Sequence, residues 1–263
     1  MATAAPNQNL PLFYKTIEPL NATQHGAYRI RQIEKSPFIA QTHAIPVTVD
    51  EFGLAQRNYP IVFSIGDNPI PIALMGLNEG VNVFLDPDGR PLDTSAYIPA
   101  YIRRYPFLLA RLNPTSDELS LCFDSTSEAI GQFDDGQPLF DGESPSDATK
   151  AILEFCEQFE TAGQRTSAFM EDLKKSGLLM DGEVAIQPEG YAQPFIYRGF
   201  QMVDEEKLRE LRGDELRKMN QNGMLPLIYA HLFSLAQMRD VFQRQLAQGK
   251  APQQIQQPAP ADA

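Results

Sequence analysis

Residues Tyr97 to Phe107 read Tyr-Ile-Pro-Ala-Tyr-Ile-Arg-Arg-Tyr-Pro-Phe, with Tyr97, Tyr101 and Tyr105 four positions apart and Arg103 and Arg104 set between them. Guanidinium groups hold carboxylates or phosphates through paired donors. Tyrosine rings supply contact area that loses little entropy when fixed. Four-residue spacing puts side chains on one helical face, so a helix here aligns the three rings as one stripe. These five residues form the candidate ligand- or partner-binding set, with His231 as a sixth. The same pattern also fits a short amphipathic helix that packs its rings on a sheet and pairs its arginines with nearby acids. Pro99 is acceptable only in the first turn of such a helix. Acid follows: Asp117, Glu118, Asp124, Glu128, Asp134, Asp135, Asp141, Glu143 and Asp147, with no Lys or Arg from 117 to 147. An aromatic and basic patch beside an acidic belt outlines a recognition surface rather than a catalytic centre.

Other chemistry is thin. None of His25, His43 and His231 has a second ligand at metal-binding spacing, so no metal is expected. His231 falls on the apolar face of the last helix, where a core or interface histidine is the ordinary occupant. Asp86-Pro87-Asp88-Gly89 opens like a calcium loop, but the position eleven residues on is Tyr97, not a bidentate Glu. A tight turn accounts for it. The acidic belt fits a solvated loop better than a cation site. The chain carries no Gly-x-Ser-x-Gly elbow and no glycine-rich phosphate loop. Cys122 and Cys156 sit in apolar surroundings and are expected reduced and buried. The expectation is a protein without cofactor that is not an enzyme.

A net charge of −12 over 263 residues argues against nonspecific affinity for nucleic acid or anionic lipid. The longest apolar-leaning stretch, Met224 to Met238, is shorter than the roughly 20 residues of a membrane span. It also contains Pro226, His231, Ser234 and Gln237. The N-terminus has neither a basic nor an apolar leader region. These features predict a soluble, cytoplasmic chain with no membrane insertion.

The elements that must position the candidates change character along the chain. β-branched and aromatic runs bounded by Pro, Gly and Asn predict an N-terminal β-rich part over 10–125. Within it, Asp50 caps a short helix to Arg57. A meander runs through 61–65, 70–77 and 81–85, and a hairpin joins 107–112 to 118–123. Residues 126–146 read as an acidic loop. Helical spacing over 147–175 ends at Gly177, and opens a helical part (147–248) interrupted by a small hairpin (184–202). Short helices follow over 204–212 and 214–222. From Pro226, Ile228, His231, Leu232, Leu235, Met238, Val241, Phe242 and Leu246 make one apolar stripe on a last helix. Residues 1–9 are expected to be mobile and 249–263 disordered. The fold class is therefore α+β: a mostly antiparallel N-terminal sheet or partly open barrel, with a C-terminal helical half packed on it and sharing its core.

Several segments together carry a family resemblance: Tyr59-Pro60-Ile61-Val62-Phe63, the whole of Tyr97 to Phe107, Gln137-Pro138-Leu139-Phe140-Asp141, Val203-Asp204-Glu205-Glu206-Lys207-Leu208, and Ile228 to Leu235. The chain resembles the bacterial SapC family over about residues 10 to 245. By name and gene neighbourhood that resemblance implies a link to secretion of paracrystalline surface-layer proteins. For other members the resemblance implies a role as companions of flavin-dependent tryptophan-halogenase-like proteins and outer-membrane receptors. It carries over no catalytic residues. A membrane permease shares the name, but this sequence has no comparable span.

The function expected is a non-enzymatic adaptor that binds a polypeptide, an export client or a modifying enzyme, and assists secretion or modification of a surface or partner protein. The alternative is an enzyme, or an accessory to a halogenase-like or oxygenase system, that binds a small acidic ligand between sheet and helices through Arg104 and His231. A third possibility, a structural subunit, predicts an exposed apolar face on 224–246 and an oligomer.

Overall fold

The computed structural model describes residues 10–33, 35–113, 118–189 and 193–250. The mobile start expected at 1–9 and nearly all of the expected tail lie outside those residues. So do Asp117 of the acidic belt and the turn residues 190–192. In chain order the strands are β1 (Ile17–Pro19), β2 (Arg29–Ile30), β3 (Ala44–Pro46), β4 (Ile61–Phe63), β5 (Pro71–Leu74), β6 (Phe107–Ala110), β7 (Ser120–Asp124), β8 (Ile130–Gly131), β9 (Gln137–Pro138), β10 (Phe140–Asp141), β11 (Ser144–Pro145), β12 (Leu179–Ile186) and β13 (Phe195–Val203). The helices are α1 (Ala22–His25), α2 (Phe52–Ala55), α3 (Ala100–Arg104), α4 (Asp147–Lys175), α5 (Glu205–Glu210), α6 (Gly213–Gln221), α7 (Met224–Ser234) and α8 (Gln237–Ala247), with a 3-10 turn at Val49–Glu51 before α2.

The main sheet runs β12-β13-β4-β5-β3, antiparallel throughout. Its first two strands come from the helical half and the other three from the N-terminal half, so one sheet joins both. Smaller sheets, β1-β7-β6 and β8-β2-β9, and the hairpin β10-β11 occupy the rest. The sheets are open, and none closes into a barrel. Strand alternation divides the core. Ile61 and Phe63 of β4 pack with Phe169, Met170 and Leu173 of α4 and Ile228 of α7. Val62 packs with Phe200, Met238 and Phe242, on the side of α8.

α4 has the bounds its spacing predicts. The Ser146 hydroxyl accepts the Thr149 N–H at 3.2 Å, Lys174 and Lys175 fill the last turn, and Gly177 takes the left-handed conformation (φ 69°) that stops it. Three expectations are corrected. The stretch 81–85 makes only an isolated bridge, Leu85 to Pro91, because Asn82 turns inward to donate to the Ile39 and Thr42 carbonyls. The helix near 50 is capped from Thr48, not Asp50, since Glu51 reaches back to the Thr48 N–H. The single last helix is two, broken at Leu235–Ala236. An unbroken rod would bury one continuous line, but Met238 and Phe242 of α8 pack on the other side of the sheet from Ile228, while Val241 still joins the Ile228 cluster.

That break serves a second purpose. β13 and β4 pair only at Gln201 and Phe63, then diverge. Helix α7 fills the gap with polar side chains. His231 Nδ1 donates to the Ile61 carbonyl at 2.7 Å, and its Nε2 accepts the Val203 N–H at 3.0 Å. The Ser234 hydroxyl accepts the Ile61 N–H at 2.8 Å and donates to the His231 carbonyl at 2.6 Å. Side chains thus replace the strand-to-strand bonds that the backbone groups still require.

Candidate functional site

Helix α3 is a single turn, so only Tyr101 of the three tyrosines lies within it. Pro99 precedes it as N-cap and Tyr105 ends it. The three rings therefore do not form one helical stripe. Each hydroxyl is anchored separately. Tyr97 donates to Glu51 Oε1 at 2.9 Å, Tyr101 to the Leu12 carbonyl at 3.2 Å, and Tyr105 to Asp124 Oδ2 at 3.5 Å. Burial, followed by the Glu51 charge and hydrogen bond, pushes the Tyr97 phenol up to about 12. The rings of Tyr101 and Tyr105 close an aromatic group around Phe13, whose positive φ of 81° costs about 1–2 kcal/mol.

Arg104 is 8% exposed. Its guanidinium lies 4.3 Å from the Phe159 ring centroid and 4.7 Å from that of Tyr101, with Glu160 at 3.5 Å. Its Nε has no hydrogen-bond partner among the described residues. Arg103 lies outside. It donates through Nε to the Ile98 carbonyl at 3.0 Å and through Nη2 to the Tyr97 hydroxyl at 3.2 Å, over the ring of Phe155. His231 shares no partner with this set. It is fully enclosed, both ring nitrogens are bound to backbone, and burial holds its pKa down at about 4 against the raising effect of the Ile61 bond. Arg104 and His231 therefore do not meet at a common ligand position.

The group that organises the segment is Glu51, which the spacing of tyrosines did not reveal. Its buried carboxylate accepts four bonds: the Thr48 N–H and hydroxyl at 2.9 Å each on Oε2, then the Tyr97 hydroxyl at 2.9 Å and the Ala100 N–H at 2.6 Å on Oε1. Thr48-Val49-Asp50-Glu51 has capping-box spacing, and that was the signal available. Within the acidic belt, Asp124 is also enclosed. Burial alone would raise its pKa, but the N–H groups of Thr126 and Lys15 and the Thr126 hydroxyl together hold it below the usual carboxylate range. Belt residues Asp134, Asp135, Asp141 and Glu143 are exposed.

The other side of the same segment is open. Ile98 and Ile102, also four apart, line a cleft of about 310 Å³ with Ile39, Met75, Phe84 and Leu85. Tyr59 forms part of the wall and donates to the Tyr97 carbonyl at 2.5 Å. Gly89 brings another part close, since a Cβ there would lie 2.3 Å from the Ser36 carbonyl. Asp93 stands at the cleft, with its carboxyl held below the usual range by the Ser95 hydroxyl and amide and, more weakly, by Arg244. The Arg244 guanidinium lies 4.9 Å over the Phe84 ring. The cleft is thus mostly apolar inside, with Asp93 and Arg244 beside it.

Among the described residues no three His, Cys, Asp or Glu side chains are grouped to hold a metal, and no helix is long and apolar enough to cross a membrane. Burial raises the thiols of Cys122 and Cys156, the latter to about 11, so neither is poised as a nucleophile. The family model described as SapC matches residues 20–241, and the chain belongs to that family. No curated protein and no solved structure matches it.

Proposed function

We propose that this SapC-family protein is a binding protein that receives an apolar side chain of a partner polypeptide in the cleft beside Ile98 and Ile102. One observation carries this. The segment 97–105 turns its three tyrosine hydroxyls inward, where Glu51, Leu12 and Asp124 occupy them, and turns two isoleucines toward an open hollow. Buried polar groups and exposed apolar ones are the informative inversions of the usual pattern. The binding surface is then the isoleucine face rather than the tyrosines. In this role the protein assists, from the cytoplasm, the secretion or modification of a surface or partner protein, without itself transforming it.

Ile98 is 45% exposed and Leu92 54% exposed, so a charge at either position is tolerated by the fold. The test is partner capture with full-length protein, followed by titration of the purified partner. Ile98→Asp should weaken binding at least about tenfold, while Arg103→Ala leaves it within a factor of about two. Equal binding by wild type and Ile98→Asp would remove the cleft from consideration.

A second function, holding a small acidic ligand, is favoured by Arg244, whose guanidinium stacks on the Phe84 wall next to the hollow. Here Arg244, not Arg104 or His231, supplies the cation. Thermal stabilisation by aromatic or acyl carboxylates that vanishes in Arg244→Met would select it over the polypeptide.

A further inference from the structure

Helix α7 is apolar on both faces. Its inner side carries Met224, Ile228 and His231 into the core, whereas Pro226, Tyr229, Phe233 and, just past its end, Ala236 are exposed. These four follow three- and four-residue steps, which makes them one continuous line along the outside. Tyr229 and Phe233 stack on each other, with centroids 5.7 Å apart and planes 25° from parallel, and they remain 42% and 68% exposed. Leu54, 47% exposed, lies on α2, which packs beside α7. A helix apolar all round belongs inside a protein, and here Pro226, Tyr229 and Phe233 face out.

Charge narrows what can cover it. No Asp, Glu, Lys or Arg occurs from Gly223 to Met238, in a chain of net charge −12. A charged partner finds nothing to steer by on this face. A second copy, which is repelled by acidic surfaces elsewhere, meets itself here without bringing like charges together. The area is consistent with that occupant. At 42% and 68% exposure the two rings leave roughly 200 Å² of apolar surface open per copy. With Pro226, Ala236 and Leu54 around them, that is a fitting apolar centre for an interface of about 800 Å² per partner.

We infer that two copies of this chain associate through α7, about a two-fold axis at the Tyr229–Phe233 stack. The dimer is isologous, so each ring stack packs on its counterpart. This surface is separate from the cleft at Ile98 and does not depend on the function proposed for it.

Sedimentation of the full chain from about 1 to 100 µM tests it. The mass should rise from monomer toward dimer. Phe233→Glu should stay monomeric across that range with an unchanged circular-dichroism spectrum and melting temperature. Phe233→Ser serves as a milder second variant and should weaken association about tenfold. Raising salt should strengthen the dimer or leave it unchanged, because it only screens repulsion. A wild-type chain that remains monomeric at the highest concentration overturns the inference. So does any association that survives Phe233→Glu or dissolves in salt. A monomer that instead binds phosphatidylcholine vesicles through Phe233 overturns it as well.

Discussion

The segment 97–105 and helix α7 share an inversion: each hides polar groups and shows apolar ones. They differ in what is hidden. Beneath residues 97–105 lies a charge, the Glu51 carboxylate with four donors around it, and Arg104 stacked among aromatic rings. Beneath α7 the bonded polar side chains are neutral, with His231 and Ser234 standing in for backbone partners between β4 and β13. A hidden charge depends most steeply on its partners, while a hidden neutral imidazole fails in addition when it acquires a charge. The first region should therefore break by substitution and the second by acid.

Glu51→Ala should show the largest effect. It leaves the Thr48 and Ala100 N–H groups and the Tyr97 hydroxyl without their acceptor, at a cost of about 4 kcal/mol. Glu51→Gln, which keeps one acceptor oxygen, should lose about half as much. Urea unfolding measures both. A Glu51→Ala protein within about 1 kcal/mol of wild type would mean that the four bonds do not organise the segment.

His231 should come next, and its signature is pH. Its pKa is about 4 in the fold and near 6.5 unfolded, so the folded value is the depressed one. The imidazole must accept the Val203 N–H, which its protonated form cannot do. Its contribution is complete above pH 6.5 and disappears as pH falls toward 4, a total of about 3 kcal/mol. Unfolding of wild type and His231→Gln at several pH values isolates this group, since the carboxylates cancel in the difference. Parallel profiles from pH 7 to 4.5 would contradict the neutral-wedge account.

Much of the fold was legible because it rests on local pattern. The N-cap Ser146, the helical spacing through Leu173 and the left-handed Gly177 mark α4 to the residue. The hairpins of β6 with β7 and of β12 with β13 follow from strands flanking turn residues, although the second begins at Leu179 rather than at 184. The break at Leu235 was hidden, because the apolar period continues across it and only the two sides of the sheet separate Ile228 from Met238. The candidate site was half legible. Tyrosine and arginine are residue types that bind, but type does not state direction, and here the tyrosine hydroxyls and Arg104 turn inward while Arg103 stays outside. Ile98 and Ile102 have the same spacing, but an isoleucine carries no chemistry that marks it as a site. Glu51 lay 46 residues from Tyr97, a contact that no window of sequence contains.

The smallest expected effect on stability divides the outer faces from the inner ones most cleanly. Ile98→Asp and Phe233→Glu each place a charge on a side chain that water already reaches, 45% and 68% exposed. Solvated surface substitutions change stability by about 0.5 kcal/mol or less. A residue that served the core would instead lose packing and strand a charge, at several times that cost. Both variants should therefore unfold in urea at the wild-type midpoint, while Ile98→Asp loses the partner and Phe233→Glu loses the dimer. If either variant instead unfolded as readily as Glu51→Ala, that isoleucine or phenylalanine would be holding the molecule together, and its exposure would not mark a surface awaiting a partner.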